Sequence, residues 1–194
     1  GDTVPLAGTQ LLPPVMPRTF YCVGLNYLAH ILEQAKRKGI DPKVPQKPDP
    51  GYRLQGPLPG HNNNVEIPEG AGERIHYEGE LVAVIGKKGK KLSQEEALDI
   101  VFGYTIGNDV SARDWQYGDN TMWRGKNSDT FKPMGPWIET DIDLDALETV
   151  VSVNGAETMR FKTNEMIFGV AEFISTISQY CTLQPGDVHW MGTD

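Results

Sequence analysis

The chemistry this chain could perform starts from carboxylates. Glu78 and Glu80 stand two apart in HYEGELVAVIG (residues 76–86), just before an apolar run of strand character. Side chains alternate faces along a strand, so positions two apart point the same way, roughly 7 Å from each other. Two negative charges on one face repel unless water, a cation or a proton relieves them. An isolated pair of this kind is more often a solvated strand face, so its meaning depends on what else the fold brings there. Asp109, in IGNDVSARDWQ, follows Glu80 by 29 residues. A strand, helix, strand path could return it to the same end of a sheet. Three carboxylates form an all-oxygen donor set, suited to a hard divalent cation such as Mg2+, Mn2+ or Ca2+ rather than zinc.

Two further groups qualify by type. His30 and Glu33 are three apart on a predicted helix and therefore neighbours on one face. They could be a general base and its orienting carboxylate, or a surface hydrogen bond. Lys126 lies in a loop bounded by glycine and asparagine, and solvation is the usual fate of lysine.

The elements that must position these groups are legible in outline. TFYCVGL (19–25) reads as a buried strand. Asn26 is the expected N-cap of a helix through YLAHILEQAKRKG, with Gly39 as its stop. Residues 41–72 are rich in proline, glycine and asparagine, with little apolar periodicity; such a long segment is either a functional lid or a connector. We expect residues 34–72 to be mobile without ligand and to close over the site with it. Ser93 caps a short helix with Glu95 and Glu96 in its first turn. Asn154-Gly155 marks a hairpin between alternating strands. Asn164 is the expected cap of a helix whose Ile167, Val170, Ala171, Ile174 and Ile177 fall at helical spacing and belong to the core. VHWMGTD reads as a last strand.

Composition excludes several classes of function. The 194 residues are enough for one substantial domain. With 26 acidic against 18 basic residues the net charge is −8, which argues against nucleic acid or an anionic membrane as partner. The two cysteines, Cys22 and Cys181, are far apart and read as reduced, buried thiols rather than a disulfide. No run approaches a membrane span and the first residues lack a basic-then-apolar leader, so a soluble, cytoplasmic protein is expected. With 21 glycines and 14 prolines the chain suits a sheet-rich domain with long loops.

Six segments in order, VGLNYLAH, YEGELVAVIGK, GYTIGNDVSARDWQ, GKNSDTFKPMGPW, VNGAE and LQPGDVHWMGT, give the chain from about Tyr21 to Asp194 a specific resemblance to the fumarylacetoacetate hydrolase family. The branch it looks most like is that of acylpyruvate hydrolases and oxaloacetate decarboxylases. The resemblance implies an α+β, β-rich fold, a mixed β-roll or sandwich with a few peripheral helices. It implies an extended lead-in over residues 1–18 and a catalytic domain over 19–194, with the family's remaining C-terminal strands absent and a truncated or partly disordered end. It implies a homodimer and an Mg2+ or Mn2+ ion held by Glu78, Glu80 and Asp109. By the same likeness Lys126 contacts metal-bound water or a substrate oxygen, Arg113 and Gln116 lie near substrate, and Thr193 contacts a substrate carboxylate. His30 and Glu33 would sit on a lid helix and orient a catalytic water.

The implied activity is hydrolysis of a carbon–carbon bond in a 1,3-diketo acid of acylpyruvate or fumarylpyruvate type, through a metal-bound enolate, in aromatic compound catabolism. Decarboxylation or keto–enol isomerisation of oxaloacetate-like or 2-hydroxy-dienedioate substrates is the alternative, and a non-catalytic binding protein with a relict site a third. The likeness weakens at three places. GYRLQGPLPG replaces the family's FxK segment and leaves the role of Arg53 open, Thr158 and Met159 stand where the hairpin usually carries Arg and Gln, and GTD replaces GTP.

Overall fold

The computed structural model describes residues 3–194. In chain order the elements that matter are β1 (Phe20–Val23), α1 (Leu28–Lys38), β2 (Pro50–Arg53), β3 (Ile75–His76), β4 (Gly79–Ile85), α2 (Gln94–Ala97), β5 (Val101–Asn108), β6 (Ser111–Ala112), α3 (Arg113–Gly118), α4 (Trp123–Asn127), β7 (Met134–Glu139), β8 (Glu148–Val153), β9 (Ala156–Lys162), α5 (Val170–Tyr180) and β10 (Val188–Trp190). Six strands make one mixed sheet in the order β2-β1-β10-β4-β5-β7, with β1 and β10 parallel and the other pairs antiparallel. Two small two-stranded sheets, β3-β6 and β8-β9, flank it. The molecule is thus α+β with few helices.

Strand β4 is buried on both faces, which explains why its run LVAVI is apolar without interruption. Its odd positions, Leu81, Ala83 and Ile85, join Phe173, Ile174 and Ile177 of α5 in one core cluster. Its even positions, Val82 and Val84, join Phe20, Cys22, Val188 and Trp190 in a second cluster on the other face. The side chain of Trp190 lies flat against Gly107 of β5, where a Cβ would come within 2.2 Å of the ring. Only glycine fits there, two residues before Asp109.

Several expectations are corrected. Helix α1 is capped by Tyr27, without a side-chain bond; Asn26 is buried and engaged elsewhere. Residues 41–72 are not structureless, because Pro50–Arg53 pair with β1 as an edge strand. Proline opens that strand where a donor is not needed, and its backbone pairing carries no periodicity to read. Asn164 lies in a 3-10 turn and donates to the Asp145 carbonyl, while α5 begins six residues later, capped by Gly169. Ile167 therefore precedes the helix, and Phe173 is a core residue of α5. Cys181 is only half-buried; both cysteines are free thiols. Ser93 does form a capping box with Glu96, and the Asn154-Gly155 turn joins β8 to β9. Val15 of the lead-in packs against the second core cluster, and Gln10 donates to the His61 carbonyl. Among the described residues no helix is long and apolar enough to cross a membrane.

His189 of β10 is wholly buried, stacked on Tyr21 with ring centroids 5.0 Å apart and edge-on to Phe173 at 5.7 Å. Among the described residues neither ring nitrogen has a hydrogen-bond partner. Burial holds its pKa down at about 3. In the unfolded chain the imidazole titrates near 6.5, so its stabilising effect is complete above that pH and is lost as pH falls towards 3. Between these values stability is expected to drop by up to about 1.4 kcal/mol per pH unit from this group. Urea unfolding across that range checks it: the His189→Phe variant should lose that slope, and an unchanged slope would contradict the assignment.

Candidate metal centre

The site is built at one end of the β4-β5 pair. The register places Gly79 opposite Asn108, so the residues flanking this pair, Glu78, Glu80 and Asp109, converge. Backbone bonds lock them: the Asp109 N–H donates to the Glu78 carbonyl at 2.9 Å, and the Glu78 N–H to Asn108 Oδ1 at 2.9 Å. Ser111 Oγ donates to the Asp109 carbonyl at 2.8 Å. All three carboxylates are buried, and one oxygen from each lies within 4.8 Å of the others.

Three cations approach this cluster unevenly. Arg53 Nη2 lies 2.8 Å from Asp109 Oδ2, and Arg113 Nη2 lies 2.7 Å from Glu78 Oε1. Lys126 Nζ bonds Glu78 and also Asp109, the latter at 3.0 Å. Glu80 is paired with none of them; among the described residues its one hydrogen bond comes from the Gly192 N–H at 2.8 Å. The electrostatics follow. Burial, Asp109 and Glu78 all push the Glu80 carboxyl well above the usual carboxylate range. Burial raises Asp109 too, but Lys126 and Arg53 outweigh it and hold that carboxyl at about 2. Burial works against the Lys126 ammonium, yet Asp109 and Glu78 raise its pKa, so it stays charged.

This arrangement fits a hard divalent cation. The donors are all carboxylate oxygens, and the one without a cationic partner, Glu80, gains most from a positive charge at the centre. The site opens into a cavity of about 550 Å3 whose lining includes His30, Arg53, Arg113, Gln116, Lys126 and Thr193 as well as the three acids. The structure therefore brings together every residue singled out from the sequence except Glu33. That side chain is exposed, and the partner of His30 Nε2 is Gln34 at 2.6 Å, four residues on rather than three. Burial lowers the His30 pKa, against the raising effect of Glu78 and Asp194. Arg113 also donates to Gln116 Oε1 at 2.7 Å, and Thr193 Oγ1 contacts Met159 Sδ at 3.6 Å.

Lys126 is no loop lysine. It sits on the one-turn α4 and is almost completely buried. The preceding Gly125 lets α4 pack on α3, since a Cβ there would meet the Gln116 nitrogen at 2.7 Å. Three contributors carry no signal of charge spacing. Arg53 comes from the segment expected to be irregular. Asn26 ties three chain segments together: its Nδ2 donates to the Phe168 and Met191 carbonyls at 3.0 and 2.9 Å, and its Oδ1 accepts from the Phe168 N–H at 2.8 Å. Gly192 adopts a φ of +82°, with its would-be Cβ 3.3 Å from the Asn26 Cβ, and this turn aims its N–H at Glu80.

Residues 19–194 match the family described as Fumarylacetoacetate (FAA) hydrolase C-terminal. The mitochondrial oxaloacetate tautomerase of Xenopus laevis is 40% identical over 190 residues, covering 95% of this chain and 57% of that protein. The crystal structure of a 5-carboxymethyl-2-hydroxymuconate delta-isomerase from Mycobacterium smegmatis superposes with a TM-score of 0.88 at 37% identity, covering 100% of this chain and 74% of the other. A maleylpyruvate hydrolase from Sphingobium sp. SYK-6, solved in complex with manganese(II) ion and pyruvate, superposes with a TM-score of 0.80 at 29% identity, covering 98% and 65%. The chain thus spans between 57% and 74% of the length of these relatives.

Replacing Asn26 by alanine would leave three buried backbone groups without partners. The expected cost is on the order of 3 kcal/mol in urea unfolding, at the upper end for a single polar truncation. A loss below about 0.5 kcal/mol would show that the clamp is dispensable.

Proposed function

Because the chain belongs to the fumarylacetoacetate hydrolase family, we propose that it is a divalent-metal-dependent enzyme that hydrolyses a carbon–carbon bond in a 1,3-diketo acid. The observation that carries this reading is Glu80, a buried carboxylate beside two others and without a cationic partner of its own. Glu78, Glu80 and Asp109 would hold Mg2+ or Mn2+, Ca2+ being a further possibility by donor type. Bound there, the ion supplies a Lewis acid that favours the enolate over the ketone.

The remaining work falls to side chains on the page. The Lys126 ammonium, kept charged by Asp109 and Glu78, would donate to a substrate oxygen. Arg113 and Gln116, bonded to each other, line the same cavity as Thr193 and with it would fix the carboxylate end. His30 enters the cavity with its imidazole held neutral by burial, the form that can take a proton from water. That water attacks the distal carbonyl carbon, the carbon–carbon bond breaks towards the 2-oxo acid half, and protonation of the resulting carbanion carbon releases a carboxylic acid and pyruvate or its analogue.

A second reading, keto–enol isomerisation or decarboxylation of an oxaloacetate-like acid, is favoured by one observation. His30 is held by neutral Gln34 and not by Glu33, so among the described residues no carboxylate is hydrogen-bonded to the ring as an orienting partner. Isomerisation needs a proton moved but no attacking water. The names of the tautomerase and isomerase relatives support it.

The reading extends to a homodimer, supported by the exposed Phe102, Ile106 and Trp137 on β5 and β7. It extends to the cytoplasm, supported by two free thiols, and to catabolism of aromatic compounds, supported by the maleylpyruvate hydrolase relative.

Incubation with Mn2+ and a panel of acylpyruvates, fumarylpyruvate and oxaloacetate tests these readings. We expect pyruvate release from an acylpyruvate, abolished by chelator and reduced at least about 100-fold in Glu80→Gln. His30→Ala should lower it by about 10²–10⁴-fold. Turnover of oxaloacetate alone would select the second reading, and turnover indifferent to Glu80→Gln would overturn both.

A further inference from the structure

The turn that follows β10 meets the candidate site at successive residues. Met191 offers its carbonyl to Asn26 Nδ2, the Gly192 N–H donates to Glu80, and Thr193 lines the cavity. The next residue, Asp194, has no part in the chemistry described so far. Its Oδ1 accepts the backbone N–H of His30 at 3.0 Å, from 164 residues along the chain. Asp194 is also where the sequence departs from the family pattern, GTD standing in place of GTP, and proline carries no side-chain acceptor.

His30 is the third residue of α1, and the first turn of a helix leaves its N–H groups without partners inside the helix. A cap residue ordinarily accepts one of them with its own side chain. Among the described residues the side chain of Tyr27, which holds that position, makes no such bond, and the first turn contains no acid. Asp194 supplies both from outside the helix: an acceptor for the third N–H, and a negative charge at the positive end of the helix dipole. The helix has little else to fix it. Of its 11 residues only Ile31 and Ala35 are buried, while Leu28 and Leu32 are each 47% exposed. An element with so few buried contacts lies at the low end of local stability, so the contacts at its ends decide where it sits. Gln34, which holds the His30 ring at Nε2, belongs to the same helix and moves with it.

We infer that Asp194 is a positioning residue: by capping α1 from outside the helix it sets where His30 stands relative to the carboxylate cluster, through the same short turn that bonds Glu80 at Gly192. The assignment rests on the function proposed above, in which His30 takes the proton, and adds to it the residue that places that base. Asp194 acts through His30 and not on the reacting atoms. The proton acceptor and the unpaired carboxylate are thereby spaced by one stretch of backbone, from Gly192 to Asp194.

The test compares the unaltered protein with Asp194→Ala, which removes the acceptor, and Asp194→Asn, which keeps it, since asparagine caps a helix about as well as aspartate. In metal-free protein, exchange of the His30 amide hydrogen followed by NMR should be about fivefold faster in the alanine variant and unchanged in the asparagine variant. In Mn2+-loaded protein acting on the acylpyruvates, fumarylpyruvate and oxaloacetate, kcat should fall about 10- to 100-fold in the alanine variant, the scale of a small misplacement of a reacting group, with KM and Mn2+ affinity unchanged. In the asparagine variant it should recover to within about threefold of the unaltered protein. His30 exchange untouched by alanine would overturn the cap. With the cap confirmed, a kcat untouched by alanine, an equal loss in both variants, or a loss that Mn2+ affinity shares would overturn the positioning role. An unaltered protein that turns over none of these acids would overturn the proposed function and the positioning role with it, the exchange data then showing the cap to be a structural contact alone, so the two failures are distinguished.

Discussion

The antiparallel pairing of β4 with β5 is the constraint on which the rest depends. A shift of one residue in that register would turn Glu80 to the opposite face and bring Val82 out of its cluster with Trp190. The register is held by apolar burial on both faces of β4 and by the contact of Trp190 with Gly107. Dispersion and hydrophobic packing in the middle of the sheet therefore fix the geometry of charges at its end. The carboxylates could not assemble by themselves, since bringing three of them out of water is opposed both by desolvation and by their mutual repulsion.

That opposition is relieved in two ways. Glu78 and Asp109 are neutralised within the chain by Arg113, Arg53 and Lys126, at the cost of burying those cations too. Among the described residues Glu80 makes no ion pair and accepts a hydrogen bond from one backbone N–H. The clamp around Asn26 places that N–H, because it fixes the turn at Gly192 against the start of α1. A structural ion-pair network would be expected to close all its charges. One left open in a cavity, with an ammonium held nearby, is the pattern of a site waiting for a charged ligand.

Much of this was legible in the sequence. Glu78 and Glu80 at the start of β4, Asp109 and the asparagine-glycine hairpin were readable because charge type, period-two alternation and turn chemistry are local properties. The resemblance to a family supplied Lys126, whose burial no local rule would give: it depends on Gly125 allowing two short helices to touch. What the sequence hid was non-local. Asn26 has the chemistry of a helix cap, and the structure instead uses its amide across segments more than 140 residues away. Arg53 was obscured by the prolines around it, although proline is compatible with an edge strand. The His30 and Glu33 pairing failed for a geometric reason: positions three and four apart are both neighbours on a helix, and here the neighbour four along, Gln34, takes the ring.

The central claim is that Glu78, Glu80 and Asp109 are the donors of one divalent cation. Calorimetric titration of Mn2+ into chelator-stripped protein addresses it most directly. The account requires one ion per chain and a loss of that binding, by at least about 100-fold, in Glu80→Gln with the fold retained. Absence of stoichiometric binding, or equal affinity in the variant, would contradict it.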